Sequence, residues 1–222
     1  MGGKNKLSKR QLASISLIKS AIFSYKYFGF KGMLHLYVLC SRHIKFYKLK
    51  GMIKILGKPY MGCIRIGLLE VSIFDEKYER VVWENYGNIE IKLPFIMGNG
   101  CKISNRGDIY FGKNFHITAN SSIICNKKIV FGDDVLISWD VLVMDSDLHK
   151  IMASNNLIKN PPREIIIGNH CWISCRSTIL KGCHLPDDTI IAANTTTSKT
   201  FKKCNTIIGS NKIISENIWW KE

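Results

Sequence analysis

Stepping from Ile167 in sixes lands on Ile173, Ile179, Leu185, Ile191 and Thr197, aliphatic or β-branched every time. Four places after each aliphatic residue stand Cys171, Ser177, Cys183, Thr189 and Thr195, all small. The same step joins Phe111, Ile117 and Ile123, then Phe131, Ile137 and Val143, with Ile103 and Ile109 upstream. A period of six is neither the 3.6 of a helix nor the alternation of a plain strand. It predicts a parallel β-helix with one short strand per hexad. The aliphatic residue turns inward and stacks on its equivalent in the next coil, and the small residue takes the corner. Three hexads close one triangular coil, and coils stack at about 4.8 Å.

Interruptions of the period predict where the coil is modified. Ile123 to Phe131 is eight residues, so two residues around Asn126-Lys127-Lys128 bulge at a turn. Val143 to Ile167 is 24 residues without pattern, and 148–163, with Pro161-Pro162 near its end, reads as a loop leaving the coil. Residues 61–110 read as early, irregular coils, with strand-like alternation at 71–74 and 89–93. Residues 7–50 read as helical, with Leu12, Ile15, Ile22 and Phe23 on one face. The tail, 211–220, predicts a short helix or strand over the open end. Three segments follow: a basic, partly helical segment 1–60, a β-helix 61–204 and a cap 205–222.

Composition narrows the setting. The 222 residues are 46% hydrophobic and 22% charged, enough for a sizeable core. Eight scattered cysteines form no C-x-x-C pair and no zinc-finger spacing, which predicts a reducing, cytoplasmic setting and no metal. The basic start has no leader-like apolar run behind it, and the longest early run, 33–40, is far short of the ~20 residues that cross a bilayer. The net charge of +15 is uneven: residues 1–69 hold fourteen Lys or Arg, and the first acid is Glu70. Tyr and Phe interleave with those lysines in SYKYFGFKGM and HIKFYKLKGM. That pattern fits a solvated basic face, peripheral contact with an anionic membrane, or nucleic acid, in that order.

The candidate chemistry lies in MDSDLHK, 144–150, where Asp145, Asp147 and His149 share five residues. An Asp-x-Asp pair can hold a divalent metal on a nucleotide sugar. A histidine, with a free pKa near ~6.5, can act as a base without metal. A metal-dependent glycosyltransferase requires a nucleotide fold and a phosphate turn, and hexads stand in their place. A carbonic-anhydrase-like metal site requires three histidines meeting across subunits. The six here (35, 43, 116, 149, 170 and 184) show no His-x-x-x-x-His pairing. A non-enzymatic scaffold with a basic docking head is the third alternative.

The segment 167–199 resembles the hexapeptide-repeat acyltransferases with a left-handed parallel β-helix, and more narrowly bacterial sugar and polysaccharide O-acetyltransferases. VLISWDVLVMDSDLHKI (135–151) resembles that branch's catalytic stretch, and MGCIRIG (61–67) and 205–220 resemble its entry and exit segments. The resemblance covers about residues 60–218. It implies acetyl-CoA as donor, a sugar hydroxyl as acceptor, no metal, a homotrimer with sites between subunits, and no nucleic acid. An N-acetyl acceptor on an amino sugar stays open. His149 is implied as the base, with Asp147 or Asp145 orienting its ring. Asn120 is implied to touch the acceptor, with a left-handed corner as its other reading, and Trp139 and Asp140 line the acceptor cleft. Cys175, Ala193, Ser198 and Lys199 occupy the positions that meet CoA. One departure stands out: the family tail Gly-Asn-Pro-Ala-Lys, which the resemblance implies lies toward the adenine side of CoA, is here Gly209-Ser210-Asn211-Lys212, one residue shorter and without proline.

Overall fold

A computed structural model describes residues 7–68, 71–75 and 77–221. Among these, three sheets, parallel except for the last strand of the first, form the faces of a prism. Face one has nine strands, from Val38–Cys40 to Lys212–Glu216. Face two has seven, from Ile44–Leu49 to Thr196–Thr197, and face three six, from Met52–Leu56 to His184–Leu185. Consecutive strands fall on consecutive faces, so the chain winds as a left-handed parallel β-helix.

The hexads form the inner columns. Ile117, Ile137, Ile173 and Ile191 are partners up face one. Ile123, Val143, Ile179 and Thr197 are partners up face two, and Phe111, Phe131, Ile167 and Leu185 up face three. All are buried, as are the small corner residues Cys171, Ser177, Cys183, Thr189 and Thr195. Phe95, Phe111, Phe115 and Phe131 fill the wider early coils, with ring centroids 4.6–5.5 Å apart. Those coils advance 20 residues per rung (Ile117 to Ile137), and the later ones 18 (Ile173 to Ile191). The extra two residues sit at the edge between faces two and three, where Asn126 and Lys127 separate Ser122–Cys125 from Lys128–Phe131.

The other two edges turn through residues with left-handed backbone. Asn120, Asp140, Arg176 and Asn194 (φ 48° to 60°) stack at the edge between faces one and two. Asn114, Asp134, His170 and Asp188 (φ 52° to 57°) stack at the edge between faces three and one. Asn and Asp tolerate this region because their short polar side chains bond locally. Asn114 Nδ2 donates to Asp134 Oδ1 at 2.7 Å, and Asn120 Nδ2 to Asp140 Oδ1 at 2.7 Å. Gly87 is required by close approach: a Cβ there would lie 1.9 Å from the Gly107 carbonyl oxygen.

Helix stops at Leu34, in α1 (Lys9–Ser14) and α2 (Leu17–Leu34), and residues from Val38 already form the first coil. The boundary expected at residue 60 therefore falls inside the coil stack. Of the presumed helical face only Phe23 is buried, whereas Leu12 and Ile22 are exposed. Residues 71–74 form a turn, not a strand. The tail is a strand: Lys212–Glu216 reverses against Thr206–Gly209 through Ser210 and Asn211 (φ 49° and 63°). Two positive φ values make the two-residue hairpin that twisted strands favour, so Gly209-Ser210-Asn211-Lys212 is a chain reversal.

α2 closes the prism's first end. Phe23 is fully buried and meets Trp83 edge-on at 5.2 Å. The first strand would otherwise present bare N–H groups. Ser20 Oγ accepts from Cys40 N–H at 2.8 Å and Ser24 Oγ from Val38 N–H at 3.2 Å.

Candidate functional site

The loop expected at 148–163 leaves face two after Leu142–Met144 and rejoins at Ile165–Ile167. Val143 pairs with Ile179, 36 residues on, so the loop adds a coil's length to one rung. At its mouth Asp147, Leu148 and His149 make a tight three-residue turn. The His149 N–H donates to the Asp147 carbonyl at 2.7 Å, and Leu148 has φ 62°. A leucine is strained there, so the turn persists only because something holds it.

Asn160 is the clasp. Its Nδ2 donates to Asp147 Oδ2 at 2.7 Å and to the His149 carbonyl at 2.9 Å, and its Oδ1 accepts from Ile151 N–H at 2.6 Å. The Lys181 ammonium bonds Asp147 Oδ2 and donates to the Asn160 carbonyl at 3.2 Å. The Lys181 ammonium, then the Asn160 amide, hold the Asp147 carboxyl below the usual carboxylate range. The sign follows: the tie is complete above the ordinary carboxylate pKa and is lost only as pH falls through the lowered value. Asp147 is thus charged, tied and a poor base at neutral pH, while the His149 side chain stands exposed.

Asp145 is placed differently from the expectation. It is fully buried. Its Oδ1 accepts from Asn126 N–H at 2.7 Å, and its Oδ2 from Lys127 and Lys128 N–H at 2.7 and 2.8 Å. The Cys125 thiol also donates to Oδ2, at 3.5 Å. Burial first, then this carboxyl, push the Cys125 thiol well up. Asp145 is therefore the acceptor for the two-residue bulge one rung below, and its inward side chain is not a support for the exposed imidazole. Asp147 reaches the histidine through backbone and Asn160, not through the ring. Among the described residues, neither aspartate bonds the His149 ring.

The remaining candidates fall on two edges of face two. At its far edge, the one shared with face three, Ser198 and Lys199 follow Thr197, which is two rungs above Val143. This places them in the column of Lys181, on the side where His149 emerges. At its near edge Asn120 and Asp140 are corner residues, so the left-handed reading of Asn120 is the one observed, and Lys102 Nζ donates to Asn120 Oδ1 at 3.0 Å. Trp139, Cys175 and Ala193 occupy one position of that edge on successive rungs. The Trp139 carbonyl accepts from Arg176 N–H and the Cys175 carbonyl from Asn194 N–H, each at 3.0 Å. Cys175 is half-buried and Ala193 exposed, two small side chains forming a narrow ridge above Trp139. Within one chain, His149 and this ridge lie at opposite edges. Among the described residues, no group of three or more His, Cys, Asp or Glu is arranged to hold a metal ion.

Asn160 and Lys181 were not found from the sequence. An asparagine before Pro161-Pro162 and a lysine in a hexad corner carry no chemical signature. Asn160→Ala removes three bonds from the turn at a half-buried site; if His149 is the base of an acyl transfer, turnover is expected to fall by about 10²-fold. KM for the donor and the melting temperature are expected to stay nearly unchanged. Steady-state kinetics beside thermal melting reads both.

No family model matches the chain. It is 30% identical over 130 residues to galactoside O-acetyltransferase of Escherichia coli (strain K12), a stretch covering 56% of this chain and 60% of that relative. The match thus spans less than two thirds of the relative's length. Among solved structures, the chain is similar to the polySia-specific acetyltransferase NeuO, with TM-score 0.59 and 18% identity over 84% of this chain and 79% of the other. It is also similar to a point mutant of AntD, an N-acyltransferase from Bacillus cereus, with TM-score 0.50 and 15% identity over 83% and 82%. The coil architecture and these likenesses agree: the chain is a hexapeptide-repeat left-handed parallel β-helix, similar to sugar-modifying acetyltransferases.

Proposed function

We propose that the protein transfers an acetyl group from acetyl-CoA to a sugar hydroxyl of a bacterial surface polysaccharide or its precursor, with His149 as the base. The observation that carries this reading is the clasped turn presenting an exposed His149 at a coil edge, in a chain similar to a galactoside O-acetyltransferase. A thioester is already activated, so neither metal nor covalent intermediate is needed. The His149 imidazole takes the proton of the acceptor hydroxyl as its oxygen attacks the acetyl carbonyl carbon. The tetrahedral intermediate collapses with cleavage of the carbon–sulfur bond, and the proton passes to the departing sulfur. Trp139 and Asp140 face the acceptor. Cys175 and Ala193 flank the pantetheine arm, and Ser198 and Lys199 lie toward the CoA phosphates, with Lys199 a point charge.

The split between edges supports a homotrimer. One chain's His149 edge and a neighbour's Cys175–Ala193 edge together make a site that neither chain completes. Complementation tests it. His149→Ala and Cys175→Trp are each expected to be inactive. Trimers reassembled from an equal mixture are expected to recover about a quarter of wild-type activity, the statistical share of sites built from two intact edges. No recovery in mixed trimers would sink the shared site. A monomer in sedimentation velocity would sink the trimer.

The reaction is read by thiol release from acetyl-CoA with a panel of neutral and amino sugars. An ester product is cleaved by hydroxylamine and an amide is not, so the product distinguishes O- from N-acetylation.

A further inference from the structure

We propose that the outer face of α2 docks the protein on an anionic lipid bilayer. This goes beyond the acetyl-transfer reading and does not depend on it. α2 lies across the first end of the prism with Phe23 inward, so its opposite side is the base of the molecule. Exposed along it are Leu17, Ile18, Ile22 and Tyr25 and, past the break in the helix at Gly29 (φ 66°), Phe30 and Leu34, each 51–75% accessible. Ile18, Ile22 and Tyr25 recur at helical spacing, which places them on one stripe. Lys26 and Lys31 stand exposed beside them.

The charge of this end selects the occupant. Fourteen Lys or Arg precede the first acid at Glu70. A second copy docked face to face would set two acid-free, cationic surfaces against each other. Nucleic acid would answer the lysines and leave the leucine and isoleucines without a partner. An anionic bilayer answers both, its headgroups meeting the lysines and its acyl boundary the aliphatics. A cleft of about 530 Å³ where α2 ends repeats the combination. Lys31 and Lys58 stand there beside Leu34 and Met61, the chemistry of a lipid phosphate with its chain. No helix among the described residues is long and apolar enough to cross a membrane, so this face lies on the bilayer and does not span it.

The test is co-sedimentation of the full chain with phosphatidylglycerol-containing vesicles and with phosphatidylcholine vesicles. Partition on the anionic vesicles is expected to exceed that on neutral ones by about tenfold or more. Ile18→Glu/Ile22→Glu and Lys26→Glu/Lys31→Glu are each expected to lower it by about tenfold or more, without changing the melting curve, because all four positions lie outside the core. Equal partition on neutral vesicles, or full binding by the isoleucine pair variant, would overturn the proposal. So would a smaller assembly of that variant than of wild type in lipid-free sedimentation velocity, which would make the face a contact between copies. Polyuridine RNA displacing the protein from vesicles while binding the isoleucine variant as well as wild type would assign the face to nucleic acid instead.

Discussion

Replacing His149 with alanine is expected to lower acetyl transfer by about 10²- to 10⁴-fold, the usual worth of a positioned general base. The fold is expected to survive intact. His149 is exposed, and its backbone, not its ring, makes the recorded bonds to Asp147 and Asn160. The substitution removes a proton acceptor and leaves the clasp in place. Donor binding is therefore expected to persist, so kcat falls while the dissociation constant for CoA barely moves. Thiol-release kinetics beside calorimetric CoA titration separates the two. Unchanged kcat would end the assignment of His149 as base. A chelator is expected to leave wild-type activity untouched, whereas loss on chelation would revive the metal reading of the Asp-x-Asp pair.

The hexads were legible because an inner position of this coil makes one demand. Ile167, Ile173 and Ile179 each fill a column, and any non-aliphatic residue there leaves a visible gap in the period. The bulge at Asn126–Lys127 was legible for the same reason, as a step of eight. The first coil was not. Ile44–Leu49 reads IKFYKL, and its longer strand exposes lysines and tyrosine on the outer face. Its apolar residues are then too few to show a period of six beside a real helix. The edge to which each site residue belongs was equally hidden. Cys175 and Lys199 lie only 24 residues apart, and nothing local says that a full face separates them. The turn at Leu148 depends on Asn160 across a loop, a contact that no periodicity encodes.

Asp145→Ala is expected to destabilise the fold by about 2–3 kcal/mol, since it empties a fully buried carboxylate site and unpairs three backbone N–H groups of a part-buried turn. Each group costs about 1–3 kcal/mol when left unpaired, and partial collapse of the turn offsets part of the sum. Asp145→Asn is expected to cost less but remain destabilising. An amide keeps one acceptor oxygen and turns an NH₂ toward N–H groups that need an acceptor. The denaturation midpoint at fixed protein concentration reads the loss, which holds assembly constant. The contrast with Asp147 decides what the Asp-x-Asp pair is for. An Asp145 that oriented the imidazole would lower kcat at temperatures where the variant is fully folded. An Asp145 that holds the 126–128 turn lowers stability and spares kcat of the folded fraction. Asp147→Asn is expected to do the reverse, because its carboxylate lies in the exposed clasp with Lys181 and Asn160. The two aspartates of one short motif then separate into a buried turn acceptor and an outer tie for the histidine turn.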